Sequence, residues 1–222
     1  MPRRQGTWGT YFPSARSAVS LAVALDKAAI RAFLGKRDQM AHVNDHKQSY
    51  MKLNQGARAI QGLLRDRGYQ AAALYPNFGY RKNLPFMTMA PLLSHRYVAV
   101  ASGIGLLGWS GNLITPEYGA PVSLSSVITS AELEPDPLVE GDVCQNCRLC
   151  VGTCPSHFIS MREETQVSIA GRTYVHNKKA HNLRCHVTCG GANGVPYPDA
   201  KWSTWSYSGS SSPETIIAAS LL

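Results

Sequence analysis

The most informative stretch of the chain is Cys144-Gln-Asn-Cys147-Arg-Leu-Cys150-Val-Gly-Thr-Cys154-Pro155. Its cysteines follow the C-x2-C-x2-C-x3-C-P spacing of bacterial iron–sulfur proteins. Two residues between successive ligands let a tight loop turn three thiolates towards one small cubane, and the fourth cysteine typically serves a different cluster. Pro155 restricts the turn that follows, because it has no amide hydrogen to donate. The spacing therefore predicts a [4Fe–4S] site.

Zinc and disulfide frameworks are the alternative uses of clustered cysteines. Structural zinc sites usually combine one C-x2-C pair with a distant second pair, which is not the pattern of this run. All six cysteines lie between Cys144 and Cys189, so none can staple the first two thirds of the chain. This distribution argues against a secreted disulfide scaffold and favours a reducing, cytoplasmic compartment.

The number of cysteines limits the number of clusters. One cubane needs four ligands and two cubanes need eight, whereas this chain has six cysteines. One cluster is therefore expected, and a second would lack two thiolates. The predicted metal ligands are all of the cysteines: Cys144, Cys147, Cys150, Cys154, Cys185 and Cys189.

The fourth ligand of the first cluster is open between two cysteines. Cys189 is preferred if the usual crossing pattern holds, and Cys154 is the alternative if the run completes its own cluster. In the first case Cys154 and Cys185 are left over. They could hold a second cluster completed by His181, by His186 or by a partner chain, or they could be free buried thiols.

Composition indicates a folded protein with a basic surface. The chain has 222 residues, of which 44% are hydrophobic and 16% are charged, and this balance disfavours disorder along its whole length. The net charge of +8 fits an acidic protein partner, an anionic cofactor or a solvated basic face. Basic residues do not alternate with aromatic ones as in a nucleic-acid platform, so a nucleic-acid partner is not expected.

No segment predicts a membrane span or a leader peptide. The longest apolar runs fall well short of the ~18 residues that a spanning helix needs. The arginine pair Arg3-Arg4 is not followed by the apolar segment that a twin-arginine signal requires. We therefore expect a cytoplasmic protein without a membrane anchor.

Hydrophobic periodicity predicts an α/β arrangement before the cysteines. Residues 16–25 form an apolar run typical of a buried strand, although its alanines also allow a helix. Residues 50–67 carry one apolar stripe at helical spacing and end at Gly68, and residues 69–75 read as a following strand. Helix, glycine and strand together indicate an α/β unit.

The second half of the chain contains shorter elements. Residues 96–102 fit either the end of a helix or a strand, and residues 122–128 alternate as in a half-buried strand. After the cysteine run, residues 166–174 predict a small hairpin that turns at Ala170-Gly171. The tail from Gly190 has little periodicity and predicts irregular structure.

A glycine-rich turn stands between these parts. Gly103-x-Gly105-x-x-Gly108 matches the dinucleotide fingerprint, which requires a strand before it and a helix after it. Trp109 and Gly111 interrupt the expected helix start, so the match is weak. A tight backbone turn and close backbone approach to a large flat cofactor are the other interpretations.

Three polar residues precede this turn. His95, Arg96 and Tyr97 could bind anionic groups or donate a proton to a substrate. Each residue taken alone is more often structural, and their position beside the glycines makes them candidates.

Several segments in order resemble the epoxyqueuosine reductase and reductive dehalogenase superfamily. They are APLLSHRYVAVASGIGLLGWSGNLITPEYG (90–119), VITSAELEPDP (127–137) and CQNCRLCVGTCP (144–155). The resemblance spans residues 15–160 and implies an α+β protein. Its α/β, nitroreductase-like, cobalamin-binding body would occupy residues 1–140, and a ferredoxin-like iron–sulfur module with an irregular tail would occupy residues 141–222.

The resemblance also implies cofactors and site residues. In this family iron–sulfur clusters pass electrons to the cobalt of a cobalamin, which carries out a two-electron reduction. The glycine-rich turn would lie against the corrin. The residues assigned to cofactor binding are Thr88, Arg96, Gly103, Gly105 and Gly108.

The chain departs from the family pattern in ways that affect its expected activity. Epoxyqueuosine reductases carry an acidic residue just before the Ala-Pro step, where this chain has Thr88, a poor proton donor. Either the substrate would then differ from the queuosine precursor, or another group, such as Tyr97 or His95, would be the catalytic proton donor. The chain also has six cysteines where the family has eight, and it is shorter.

These observations predict an iron–sulfur oxidoreductase that uses a corrinoid for reductive chemistry on a small molecule. Its electron donor would be a protein of ferredoxin or flavodoxin type. Two alternatives are a non-catalytic electron-transfer subunit of a larger complex and a protein that reduces the corrinoid of a partner.

Overall fold

The structure is a computed structural model, and it describes residues 12–76 apart from 36 and 39, residues 91–154 and 157–179, and Asn182 with Cys185. The predictions made for Thr88, Cys189 and the tail from Gly190 lie outside the described residues, as do the histidines considered as ligands of a second cluster.

A three-stranded antiparallel sheet forms the centre of the body. Its order is β1 (Ser17–Ala24), β5 (Val122–Thr129) and β2 (Ala71–Leu74), with β5 in the middle. The predicted strands at 16–25 and 69–75 are confirmed as β1 and β2. Every pairing in this sheet is antiparallel, so the protein has a mixed α/β fold whose sheet is not of the parallel kind.

Strand β5 is more deeply buried than its alternating sequence predicted. Its residues from Ser125 to Thr129 are all buried, on both faces of the sheet. On one face of the sheet, Val127 packs in a core with Ala57 of helix α2 (Ala41–Asp66). On the opposite face, the neighbouring Ser126 is hydrogen-bonded to His95, which belongs to another helix. The prediction of a half-buried strand was wrong because helices cover both faces.

Two helices lie between β1 and β2 in the chain. Helix α1 (Lys27–Leu34) starts at Asp26, whose carboxylate accepts hydrogen bonds from the first turn. Helix α2 confirms the helix predicted over residues 50–67, but it begins earlier, at Ala41. No helix in the described part of the chain combines the length and the apolar character that crossing a membrane requires.

The segment around the glycine-rich turn is a helix followed by a small ribbon. The sequence allowed either the end of a helix or a strand over residues 96–102, and the structure has a helix there, α3 (His95–Ala101). Two-residue strands β3 (Leu106–Leu107) and β4 (Leu113–Ile114) then pair across the turn. No helix begins at the end of the glycine motif, so a dinucleotide has no helix N-terminus for its pyrophosphate, and that interpretation was wrong.

The cysteine run is followed by a hairpin that packs on the body. After the short helix α4 (Leu149–Gly152), strands β6 (Ile159–Ile169) and β7 (Arg172–Lys179) pair and turn at the predicted Ala170-Gly171. A second core joins Val100 of α3 to Ile169 of β6, together with Ala99, Leu107 and Leu113. The hairpin is therefore part of the same packed structure as α3. The boundary at residue 140 and the ferredoxin-like nature of the module stay predictions.

Candidate iron–sulfur site and glycine-rich turn

The backbone of the cysteine loop has an unusual conformation. Asn146 and Arg148, which separate the first three cysteines, both have left-handed φ angles of 52° and 57°. Left-handed residues are uncommon outside glycine, and they occur in the backbone nests whose N–H groups surround anions such as iron–sulfur clusters. Cys150 then lies in helix α4, and the Cys154 amide donates to the Val151 carbonyl at 3.1 Å. This loop backbone fits the cluster that the spacing predicts.

The first cysteine contacts the glycine-rich turn directly. The Trp109 amide donates a hydrogen bond to Cys144 Sγ at 3.2 Å, and the Cys144 amide donates to Asp142 Oδ1 at 2.9 Å. A Cβ placed on Gly108 would lie 3.6 Å from the same sulfur. Amide hydrogen bonds to sulfur stabilise a thiolate and help to set the reduction potential of a cluster. The cysteine loop is thereby joined to the body.

The thiols of the run influence one another electrostatically. Burial raises the pKa of the Cys150 thiol, and negative charge on Cys144 and Cys147 raises it further. A thiolate at Cys150 is therefore disfavoured unless a cation is present, since like charges disfavour each other. A metal centre would remove this penalty because a coordinating thiol is deprotonated outright.

The spacing of the cysteines fits an iron–sulfur cluster, but the side chains of the described cysteines do not converge on one point in the structure. Within the residues that the structure describes, which leave out Cys189, no three Cys, His, Asp or Glu side chains stand together closely enough to hold a metal ion. The six metal ligands therefore stay a prediction.

Two polar side chains near the turn are buried without a hydrogen-bond partner among the residues that the structure describes. They are Trp109, through its Nε1, and Asn177, through its Oδ1 and Nδ2. The backbone N–H of Asn177 donates to the Trp109 carbonyl at 3.0 Å, so the two residues lie next to each other in space. The Trp109 ring also faces the Arg148 guanidinium at 4.3 Å, within the cysteine loop. Orphaned buried donors cost stability, and sulfides of a cluster are acceptors that would relieve this cost.

A cavity of about 360 Å³ opens beside Cys144. Its walls come from strand β3, from the segment that leads into the cysteines and from the start of β7: Leu106, Leu107, Gly141, Asp142, Cys144, Arg172, Thr173 and Tyr174. The volume is in the range of sites that hold small ligands.

The three glycines of the turn are each pressed against the protein's own chain. A Cβ on Gly103 would overlap the Pro137 carbonyl, one on Gly105 would overlap the Ile114 carbonyl, and one on Gly108 would overlap the Ile114 side chain. These contacts explain the glycines without any cofactor. The corrin-facing role of Gly103, Gly105 and Gly108 accordingly stays a prediction, and their packing gives it no support.

His95 is held by hydrogen bonds on both sides of its ring. Nε2 lies 3.3 Å from the Tyr75 carbonyl, which can only accept, so Nε2 carries the hydrogen. Nδ1 then accepts from the Ser126 hydroxyl at 2.9 Å. Burial lowers the pKa of His95, which keeps the ring neutral. This arrangement fits a bridge between α3 and the sheet, and the catalytic role of His95 stays a prediction.

Arg96 and Tyr97 take different positions. The Arg96 guanidinium donates to the Gly111 carbonyl at 2.7 Å and to Asn112 Oδ1 at 2.9 Å, so it fixes the end of the glycine-rich turn. Burial lowers the pKa of Arg96. The Tyr97 ring packs against the second core beside Val100. Cofactor binding by Arg96 and proton donation by Tyr97 stay predictions.

Two residues of this region are not among the predicted site residues. The sequence shows Trp109 only as an interruption of a helix start, whereas in the structure its backbone amide donates to Cys144 Sγ. Lys179 ends strand β7 beside Gly111, where a Cβ would lie 3.3 Å from its Cε. Both contacts depend on how distant segments pack, so the sequence alone could not reveal them. The position of Trp109 directly after the glycine motif was the one sequence feature that pointed to the site.

No protein-family model matches the chain. Among curated proteins, it is 42% identical over 64 residues to the epoxyqueuosine reductase of Bacillus subtilis, which is 29% of this chain and 16% of that protein. It is 36% identical over 83 residues to the tetrachloroethene reductive dehalogenase of Sulfurospirillum multivorans, and the match covers 36% of this chain and 16% of that protein. The tetrachloroethene reductive dehalogenase of Desulfitobacterium hafniense is 31% identical over 123 residues, and the match covers 54% of this chain and 20% of that protein.

Solved structures of epoxyqueuosine reductases are also similar at 23% identity. One, from Streptococcus thermophilus, has a TM-score of 0.41, and the match covers 68% of this chain and 38% of that chain. Another, solved with a tRNA-Tyr epoxyqueuosine-modified stem loop, has a TM-score of 0.45 with the same coverage.

The predicted resemblance to epoxyqueuosine reductases and reductive dehalogenases is confirmed by these relatives. In the three curated matches described, the aligned segment spans a fifth of the relative's length or less. The expectation that nucleic acid is not a partner stays a prediction, as does the cytoplasmic location.

Proposed function

We propose that the chain is an iron–sulfur oxidoreductase that uses a corrinoid for a two-electron reductive reaction, as expected from its epoxyqueuosine reductase and reductive dehalogenase relatives. Its substrate is a small molecule, and its electron donor is a protein of ferredoxin or flavodoxin type. The thiolates of the cysteine run hold a [4Fe–4S] cluster, which supplies single electrons when bound. A bound corrinoid would supply the cobalt for the two-electron chemistry.

The observation that carries the proposal is the hydrogen bond from the Trp109 amide to Cys144 Sγ. It joins the first predicted iron ligand to the turn that the resemblance associates with the corrin. A redox centre in the loop would therefore lie next to the body, as electron transfer between two centres requires.

The chain's own residues have defined roles in this proposal. The Trp109 amide stabilises negative charge on Cys144, and Arg96 keeps the turn in place through the Gly111 carbonyl. Arg148 covers the Trp109 ring and limits access of water to it. Tyr97 is the better candidate for a proton donor, because both ring nitrogens of His95 are already hydrogen-bonded.

Metal content tests the proposal. The protein is purified without oxygen, reconstituted with iron and sulfide, incubated with cobalamin and desalted, and iron, sulfide, cobalt and zinc are then measured per chain. We expect about four irons for one cubane, or about eight for two, with about one cobalt for one bound corrinoid. Cys144→Ser should lower the iron content, whereas Gln145→Ala, next to it in the loop, should not. Zinc in place of iron would contradict the proposal.

A non-catalytic electron-transfer subunit is the second candidate. It is favoured by the packing of Gly103, Gly105 and Gly108 against the protein's own chain, which explains these glycines without a corrin. Iron without cobalt in the same experiment, together with reduction of an added partner protein by the reduced chain, would favour this candidate over the first.

A further inference from the structure

A second cleft lies at the open end of the β6–β7 hairpin, and its lining shares no residue with that of the cavity beside Cys144. It has a volume of about 510 Å³, within the range of small-molecule sites. Its lining comes from the start of β6 and the end of β7: His157, Ile159, Ser160, Met161, Arg162, Glu163, Lys178 and Lys179. None of these residues has a role in the function proposed above.

The cleft carries more positive than negative charge. Among the described residues that line it, the one carboxylate is that of Glu163, which forms an ion pair with Lys178 at 2.6 Å. Lys179 and Arg162 form no ion pair with any carboxylate in the described part of the chain. Two cationic side chains of the cleft are thus not paired with any carboxylate of these residues.

Lys179 is in an unfavourable position for an isolated ammonium group. It is partly buried, and its Nζ lies 5.7 Å from the centre of the Phe158 ring. Burial, and after it the positive charge of Arg96, together lower the pKa of Lys179 to about 7, although negative charge on Cys185 opposes this shift. A desolvated cation beside another cation is costly unless an anion compensates it.

Ser160 adds a hydrogen-bond donor to the same cleft. Its Oγ accepts from the Arg162 amide at 3.2 Å and from the Glu163 amide at 2.9 Å. A serine hydroxyl that accepts two hydrogen bonds still has its own hydrogen to donate. The described hydrogen bonds give that hydrogen no acceptor within the protein.

We propose that this cleft binds the phosphate monoester of a small molecule, through Lys179, Arg162 and the Ser160 hydroxyl. A phosphate monoester carries a charge of about −1.5 to −2 near neutral pH and three acceptor oxygens. That charge matches two unpaired cations, and the guanidinium and ammonium groups are the usual partners of phosphate. The site uses none of the residues that were given a role in the reductase function, and it goes beyond that function.

Calorimetric titration of the purified 222-residue chain with inorganic phosphate tests this inference. We expect saturable binding at one site per chain. Lys179→Met and Arg162→Gln should each weaken it by about tenfold, or about 1.4 kcal/mol, because each removes a charged hydrogen-bond donor to the phosphate. Lys52→Met, which removes the same charge from the exposed surface of helix α2, should leave the affinity unchanged. Arg162 is exposed, so its variant should fold even if the Lys179 variant does not.

A second titration separates a phosphate monoester from a nucleic-acid backbone. A short oligonucleotide without terminal phosphates carries only diesters, and we expect it to bind more weakly than phosphate and not to compete with it. Absence of phosphate binding, equal weakening by Lys52→Met, or binding of the oligonucleotide in place of phosphate would each overturn the proposal.

Discussion

At the scale of single residues, His95 illustrates how a candidate catalytic group can be held by the fold. The sequence placed it beside a glycine-rich turn, which suggested proton transfer. In the structure its ring links the Tyr75 carbonyl to the Ser126 hydroxyl, and Ser126 is fully buried in the central strand. Neither bond was predictable, because both partners come from distant segments of the chain.

The lowered pKa of His95 predicts a pH effect on stability. The folded state favours the neutral ring, whereas the unfolded chain has the ordinary pKa of 6.5. Unfolded molecules therefore bind more protons, and this contribution to stability is complete above pH 6.5 and is lost as the pH falls towards the folded pKa. Urea unfolding of the wild type and of His95→Gln at pH 5 and pH 7.5 measures it.

We expect the wild type to lose more unfolding free energy than His95→Gln between those two pH values. The variant should also be less stable at pH 7.5, by about 1 kcal/mol for the hydrogen bonds that it weakens. His46, whose pKa is also lowered by burial, is present in both proteins and cancels from the comparison. Identical pH dependence in the two proteins would contradict the assignment.

At the scale of elements, periodic segments were predictable and context-dependent ones were not. The apolar stripe after Tyr50 predicted the second half of α2, but the polar stretch from Ala41 gave no periodic signal. The sequence of α3 is compatible with a helix or a strand. In the structure it is a helix, and Val100 of this helix is buried in the second core. The burial of β5 on both faces follows from the helices around it, which a single strand cannot reveal.

The glycine-rich turn gives a prediction at this scale. Gly105→Ala should lower the free energy of unfolding by about 1–3 kcal/mol, the usual cost of overpacking, because the added Cβ meets the Ile114 carbonyl. Gly62→Ala in α2 is the matched control, since its Cβ would meet nothing within 4 Å. That control should gain about 0.5–1 kcal/mol from helix propensity.

Denaturant unfolding of both alanine variants, without added cofactor, makes the comparison. Equal stability of Gly105→Ala and the wild type would mean that the turn is not packed as described. In that case a cofactor would be the better explanation of the glycine.

At the scale of the whole molecule, the hairpin after the cysteines shares a core with the body. The sequence predicted the hairpin and its turn, and the domain boundary at residue 140 stays a prediction. Ile169 of β6 packs with Val100 and Leu113, so the apolar face of the hairpin is covered by the body. This contact also brings Lys179 to Gly111, which no local pattern could indicate.

The shared core predicts that the hairpin stabilises the body. Ile169→Ala should lower the free energy of unfolding by about 2–5 kcal/mol, the usual cost of truncating a buried isoleucine. Met161→Ala on the same strand is the control, because Met161 is 68% exposed, and it should stay within about 0.5 kcal/mol of the wild type. Thermal unfolding followed by tryptophan fluorescence reports the difference.

A single cooperative transition that moves to lower temperature in Ile169→Ala would agree with one packed structure. Two transitions, of which only one moves, would instead support independent domains on either side of residue 140.

In the proposed function, the thiolates of one short loop hold a [4Fe–4S] cluster against the glycine-rich turn. Electron paramagnetic resonance of the anaerobically reconstituted, chemically reduced protein detects such a cluster. We expect the signal of a reduced cubane, which Gln145→Ala retains and Cys144→Ser loses or alters. A protein that contains zinc and no iron, or one whose cysteines are paired as disulfides and give no signal after reduction, would contradict it.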